Sequence, residues 1–212
     1  MLKAMQLFNE LAGKGQYGPD FSKDFSQQDE RDAISSPQKP HTLWYGCSDS
    51  RVVPNLIAGM GAGELFVHRN IANQVKRDDN GAMAVLEFAI EVLKVKHIVV
   101  CGHYECGGIM AALDRKTDAP KPITALEHWI EEIAVIRDGF SKELQELEND
   151  HARTNFLCEK NVLHQTAIIK SHPLVENNAD IQVFSLIFDL KTGTLHNLGE
   201  ERSQISQTGS GS

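Results

Sequence analysis

Residues 42–51 read Thr42-Leu43-Trp44-Tyr45-Gly46-Cys47-Ser48-Asp49-Ser50-Arg51. A short apolar run without polar alternation stops abruptly at a turn-rich segment loaded with reactive side chains. Three further runs resemble its first half: Glu64-Leu65-Phe66-Val67-His68, His97-Ile98-Val99-Val100-Cys101-Gly102, and Ile181 to Leu190, which ends in the turn Lys191-Thr192-Gly193. Short apolar runs that do not alternate predict strands covered on both faces, as in a parallel sheet. Between them, Gly81 to Val95 carries Met83, Leu86, Ile90 and Leu93 at helical spacing. Ile123 to Arg137 carries Leu126, Ile130 and Ile133 on one face, and Phe156 to Ser171 is a further helix, stopped by Pro173. Parallel strands need crossover connections, and these helices supply them. The predicted class is α/β: a central, mainly parallel sheet of about four strands plus a late edge strand, flanked by helices, with an N-terminal helical arm.

The arm is expected over residues 1–40, where Met5, Phe8 and Leu11 give Met1–Leu11 an apolar face suited to a partner subunit. Residues 41–203 form the α/β domain, and 204–212, rich in Ser, Thr, Gly and Gln, a flexible tail. The 212-residue chain is long enough for one such domain, and its 41% hydrophobic and 24% charged residues suit a buried core. A net charge of −8 leaves no basic face for nucleic acid and no polybasic segment for anionic lipid. No apolar run approaches the roughly 20 residues of a membrane span, and the start does not read as a secretory signal. Four cysteines are too few for a disulfide scaffold, so a reducing, cytoplasmic setting is expected.

Chemistry gathers at two strand ends. Cys47-Ser48-Asp49-Ser50-Arg51 follows the first strand, and His103-Tyr104-Glu105-Cys106-Gly107-Gly108 follows the third. Ligands of open parallel sheets bind beyond the carboxyl ends of strands. If the two strands are neighbours, Cys47, Asp49, His103 and Cys106 converge. Two thiolates and an imidazole favour zinc over magnesium or calcium, and three firm ligands with one exchangeable position mark a catalytic site. Gly107 and Gly108 permit close backbone approach and open a helix. Taken singly these motifs also read blandly, Cys47-Ser48-Asp49-Ser50 as a turn with Asp49 as a local cap. Cys101 and Cys158 read as core residues.

Together with Gly63-Glu64-Leu65-Phe66-Val67-His68-Arg69-Asn70-Ile71-Ala72-Asn73, these two segments resemble the β-class carbonic anhydrases, the closed-type bacterial members most closely. The resemblance is dense from Leu43 to Leu113 and looser through Asn161-Val162 to Gly193. It implies one Zn2+ per chain on Cys47, His103 and Cys106, homodimers or homotetramers, and reversible hydration of carbon dioxide to bicarbonate by zinc-bound hydroxide. Asp49 either orients that hydroxide while paired with Arg51, or itself occupies the fourth zinc position. If it occupies the metal, activity is low at neutral pH and rises in alkali. Trp44 and Arg69, with the backbone of Gly46, match a bicarbonate site of some closed-type relatives, but Phe188 stands where those have a tyrosine. Gly61 stands where open-type plant enzymes carry a glutamine, and Ser185-Leu186 where relatives commonly show Gly-Trp. Alternatives are a hydrolase of carbon disulfide or carbonyl sulfide on the same framework, and a purely structural zinc protein.

Overall fold

The structure is a computed structural model that describes residues 36–115 and 124–199. The expected arm up to residue 35 and the tail from residue 200 lie outside the described residues, as does Ile123, where one helix was expected to begin.

Strand β1 (Thr42–Cys47) is buried along its whole length. It is central: β2 (Leu65–Asn70) pairs parallel on one side and β3 (His97–His103) parallel on the other. Strand β4 (Gln182–Asp189) adds parallel to β3, and β5 (Thr194–Asn197) closes the edge antiparallel, giving the order β2-β1-β3-β4-β5. The expected α/β class is the one observed, with four parallel strands and a late edge strand.

Side-chain alternation divides the core in two. Leu43, Tyr45, Ile98 and Val100 point into the larger cluster, with Leu86, Ile109, Leu157 and Val162 from the helices. Trp44, Val99, Cys101 and Phe188 point the other way, where Val52 and the short helix α1 (Pro54–Ala58) contribute. A one-residue slip of β1 would exchange these two sets. Covering both faces is what makes β1 and β3 continuous apolar runs.

The helices depart from their expected bounds for local reasons. Helix α2 (Asn80–Glu87) starts where the Asp79 side chain accepts from Gly81 and Ala82 N–H, then widens into a π-turn over Phe88–Val92. Helix α3 (Gly107–Asp114) follows the second reactive segment. The expected helix over 123–137 is two, α4 (Ala125–Trp129) and α5 (Glu131–Gly139), which break at Ile130. Two tertiary bonds hold the corner: the Trp129 indole N–H donates to Ile71 O, and Trp129 O accepts from Gln74 Nε2, both at 2.9 Å. A short helix, α6 (Ser141–Glu146), was not expected. Helix α7 (Asp150–Lys170) begins before Phe156, capped by Asn149, whose Oδ1 accepts from Ala152 N–H at 2.9 Å. It packs on β3 and β4 and is followed by α8 (Pro173–Glu176).

Gly102, one residue before the end of β3, lies under α7. A Cβ there would sit 2.5 Å from Val162 Cγ2 and 3.3 Å from Asn73 Oδ1. Gly102→Ala therefore overpacks a closed site, and we expect a loss of about 1–3 kcal/mol in urea unfolding. An unchanged midpoint would contradict this close helix–sheet contact.

Candidate metal centre

Parallel pairing with Gly46 opposite Cys101 makes β1 and β3 end side by side. Cys47 is the last residue of β1 and His103 the last of β3. The chain turns through Glu105, in the left-handed region at φ 57°, and returns Cys106 at the cap of α3. A non-glycine residue there marks a turn held by its surroundings. The ligand atoms of Cys47, His103 and Cys106 all lie within 4.8 Å of one another, and all three residues are buried.

Two observations test whether this group fits zinc. The two sulfurs are 3.9 Å apart. Two thiolates at about 2.3 Å from a tetrahedral ion would stand about 3.8 Å apart, so little movement is needed. The His103 ring is also pre-set: Nδ1 lies 2.9 Å from Tyr104 O, the bond an Nδ1–H makes. That leaves Nε2 with its lone pair toward the sulfurs, buried and without a hydrogen-bond partner among the described residues. A backbone carbonyl that fixes the tautomer of a metal-binding histidine is the usual outer support. The donor set is soft enough for zinc and wrong for a hard oxygen-seeking cation.

The two thiols are shifted in opposite directions. The hydrogen bond from Cys106, then contacts with His103 and backbone N–H, push the Cys47 thiol well down toward thiolate against its burial. The same bond, with burial, pushes Cys106 up. Cys158 is a buried core thiol, pushed up to about 12 by burial, and Cys101 is raised in the same way. All four are free cysteines.

Asp49 stands beside this group but faces Arg51. Arg51 Nε donates to Oδ1 at 3.0 Å, Nη2 to Oδ2 at 2.8 Å, and the Arg51 backbone N–H to Oδ1 at 2.9 Å. These bonds hold the Asp49 carboxyl far below the usual carboxylate range. Its Oδ2 remains 3.8 Å from His103 Nε2, at the rim of the ligand cluster. The expected pairing of Arg51 with Asp49 is present.

Arg69 acts on the loop backbone. Its Nε donates to Cys47 O at 2.8 Å and its Nη2 to Asp49 O at 2.6 Å. Asn70 O accepts Ser48 N–H at 2.8 Å, so β2 ties down both ends of the turn. Sequence reasoning had not found this clamp; the signal is a cation at the end of the strand beside the ligand-bearing loop. Trp44 and Arg69 both flank Gly46: a Cβ there would lie 2.8 Å from Trp44 Nε1 and 4.0 Å from Arg69 Cγ. Trp44 Nε1 is buried with no partner among the described residues, and Phe188 packs in the same apolar cluster. Gly108 brings α3 close to the corner after β2, where a Cβ would meet Ile71 Cγ2 at 2.7 Å; Gly107 has open space.

Comparison with known proteins places this geometry. The family model described as Carbonic anhydrase matches residues 42–195. The chain is 43% identical over 171 residues to a protein named carbonic anhydrase from Emericella nidulans, covering 78% of this chain and 72% of that one. It is 42% identical over 162 residues to the carbonic anhydrase of Candida albicans, covering 74% of this chain but 56% of that protein. Among solved structures, a tetrameric β-carbonic anhydrase from Sordaria macrospora superposes with a TM-score of 0.78 at 31% identity, covering 93% of this chain and 95% of that one.

If Cys47, His103 and Cys106 are the ligands, Cys47→Ser, His103→Gln and Cys106→Ser each lose more than about 100-fold in zinc affinity, beyond what outer-sphere changes cost. Arg51→Ala keeps its metal. Competition with a chromophoric chelator measures both. A ligand variant that still binds zinc like the parent chain would remove that residue from the centre.

Proposed function

The chain belongs to the carbonic anhydrase family, in its β class, and from that premise we infer that it is a zinc enzyme for the reversible hydration of carbon dioxide, with Asp49 and Arg51 governing the fourth ligand position. The observation that carries this is the buried, unpartnered His103 Nε2 facing two sulfurs at zinc-compatible separation. When bound on Cys47, His103 and Cys106, zinc would supply a Lewis acid that lowers the pKa of a coordinated water toward about 7, less far here because two thiolates offset its charge.

The protein's part is orientation and charge. Asp49 is an acceptor next to the open position, kept ionised by Arg51. An ionised carboxylate fixed by three bonds can hold the attacking oxygen's proton away from carbon dioxide and so aim its lone pair. Arg51 would also hold that carboxylate away from an ion bound by Cys47, His103 and Cys106. Arg69 fixes the loop so that Cys47 and Asp49 keep their separation. A bicarbonate seated on Trp44 and Arg69 would compete with these carbonyl bonds and would meet the Phe188 ring in place of a hydroxyl, so inhibition at that place is weak or lacking.

The assembly is a homodimer or homotetramer, supported by the tetrameric relative, and the setting is cytoplasmic, supported by four free thiols. Among the described residues no helix is long and apolar enough to cross a membrane.

Two outcomes test the dyad. Arg51→Ala, with zinc retained, lowers kcat/KM for carbon dioxide hydration by about 100-fold or more at neutral pH, and the loss narrows in alkali. There a freed carboxylate competes less well for the open position. Equal activity would return the pair to a structural role. The pH dependence has a definite sign. The folded-state pKa of Asp49 is depressed, so its contribution is complete above the unfolded value of about 3.9 and is lost only as pH falls through the lower folded one. Between about pH 5 and 9 the wild-type profile should therefore rise through one ionisation without an acid limb from Asp49. A second limb in that window that vanishes in Asp49→Asn would contradict it.

A further inference from the structure

Hydration of carbon dioxide releases one proton for each bicarbonate formed, and that proton must reach bulk buffer. A polar cluster beside the centre is used by nothing described above. Glu105 lies between the ligands His103 and Cys106. Its carboxylate acts electrostatically on the Arg51 guanidinium. Its Oε1 is 3.5 Å from Nδ1 of His151, in the first turn of α7, and 3.7 Å from Lys191 Nζ. The His151 side chain is 52% exposed, so its ring touches both solvent and the ligand loop.

Asn155 sets the tautomer. Its Oδ1 accepts the Glu105 backbone N–H at 3.4 Å, which turns its Nδ2 toward His151 Nε2 at 3.3 Å. An amide nitrogen only donates, so Nε2 of the neutral ring is the acceptor and Nδ1 carries the hydrogen, facing Glu105. The charged neighbours on α7 are Asp150 and Arg153, which pair with each other at 2.7 Å and leave the ring to Glu105.

We propose that His151, positioned by Glu105 and Asn155, is the group through which the proton made in the site leaves for buffer. The inference rests on the carbonic anhydrase reading. The proton enters on the Nε2 lone pair, displacing the weak Asn155 contact. The imidazolium is held at its Nδ1 side by the Glu105 carboxylate, then gives a proton to a buffer base. One N–H bond forms and one breaks, and nothing is oxidised or reduced. Glu105 transfers no proton and serves only as the anchor. An imidazole is the side chain suited to this near neutral pH.

The test uses zinc-loaded enzyme and isotope exchange at chemical equilibrium, which reports carbon dioxide–bicarbonate interconversion and the proton-dependent release of labelled water separately. In dilute, non-transferring buffer His151→Ala should slow water release by about fivefold or more relative to interconversion, with recovery on adding free imidazole. His164→Gln, an exposed histidine on the same helix, should change neither rate. A second readout is independent of turnover: nitrogen NMR of the neutral His151 ring should show its hydrogen on Nδ1, moving to Nε2 in Asn155→Ala. Equal slowing of both rates in His151→Ala, or no rescue by imidazole, overturns the proposal, as does a wild-type ring protonated on Nε2. A wild-type enzyme without interconversion would instead overturn the reading on which the proposal rests, and the NMR result would tell the two failures apart.

Discussion

The centre depends on one constraint: two neighbouring parallel strands end within one residue of each other. Cys47 closes β1, His103 closes β3, and their pairing brings the first thiol to the second ligand without any long-range loop. The third ligand arrives within one tight turn. Gly102 permits the close helix contact behind β3, and Gly108 permits the approach of α3 to the corner after β2. Geometry at atomic scale thus rests on sheet register, which is fixed because a slip would turn Leu43 and Tyr45 away from their core.

Electrostatics favours a cation in the same cluster. A buried lone pair on His103 Nε2 has no hydrogen-bond partner among the described residues, and Cys47 is pushed toward thiolate in the same space. Unmatched buried polar groups are costly, and a cation that accepts all three donors removes the cost at once. The neighbouring loop is held from outside rather than by the ligands: Arg69 takes the carbonyls of Cys47 and Asp49, and Arg51 takes the Asp49 carboxylate. A carboxylate that could close the site is therefore restrained by bonds that need no metal.

Strand positions were legible because burial on both faces writes unbroken apolar runs, as in Thr42–Cys47 and His97–His103. The ligands were legible because cysteine and histidine at strand ends have few other uses. Helix limits were less so. The corner at Ile130 depends on Gln74 and Ile71, far away in sequence, and the first turn of α7 is polar, so apolar spacing passes over it. The roles of Arg69 and of Glu105 with helix α7 arise from contacts across 20 to 50 positions, which no local pattern records. The arm expected over residues 1–40 lies almost wholly outside the described residues.

The most direct measurement of the central claim is zinc X-ray absorption on the zinc-loaded protein at neutral pH. Two sulfurs at about 2.3 Å, with lighter nitrogen or oxygen donors at about 2.0–2.1 Å completing four ligands, is the expected shell. A shell without sulfur, or one made of sulfur alone, would contradict a centre built from Cys47, His103 and Cys106.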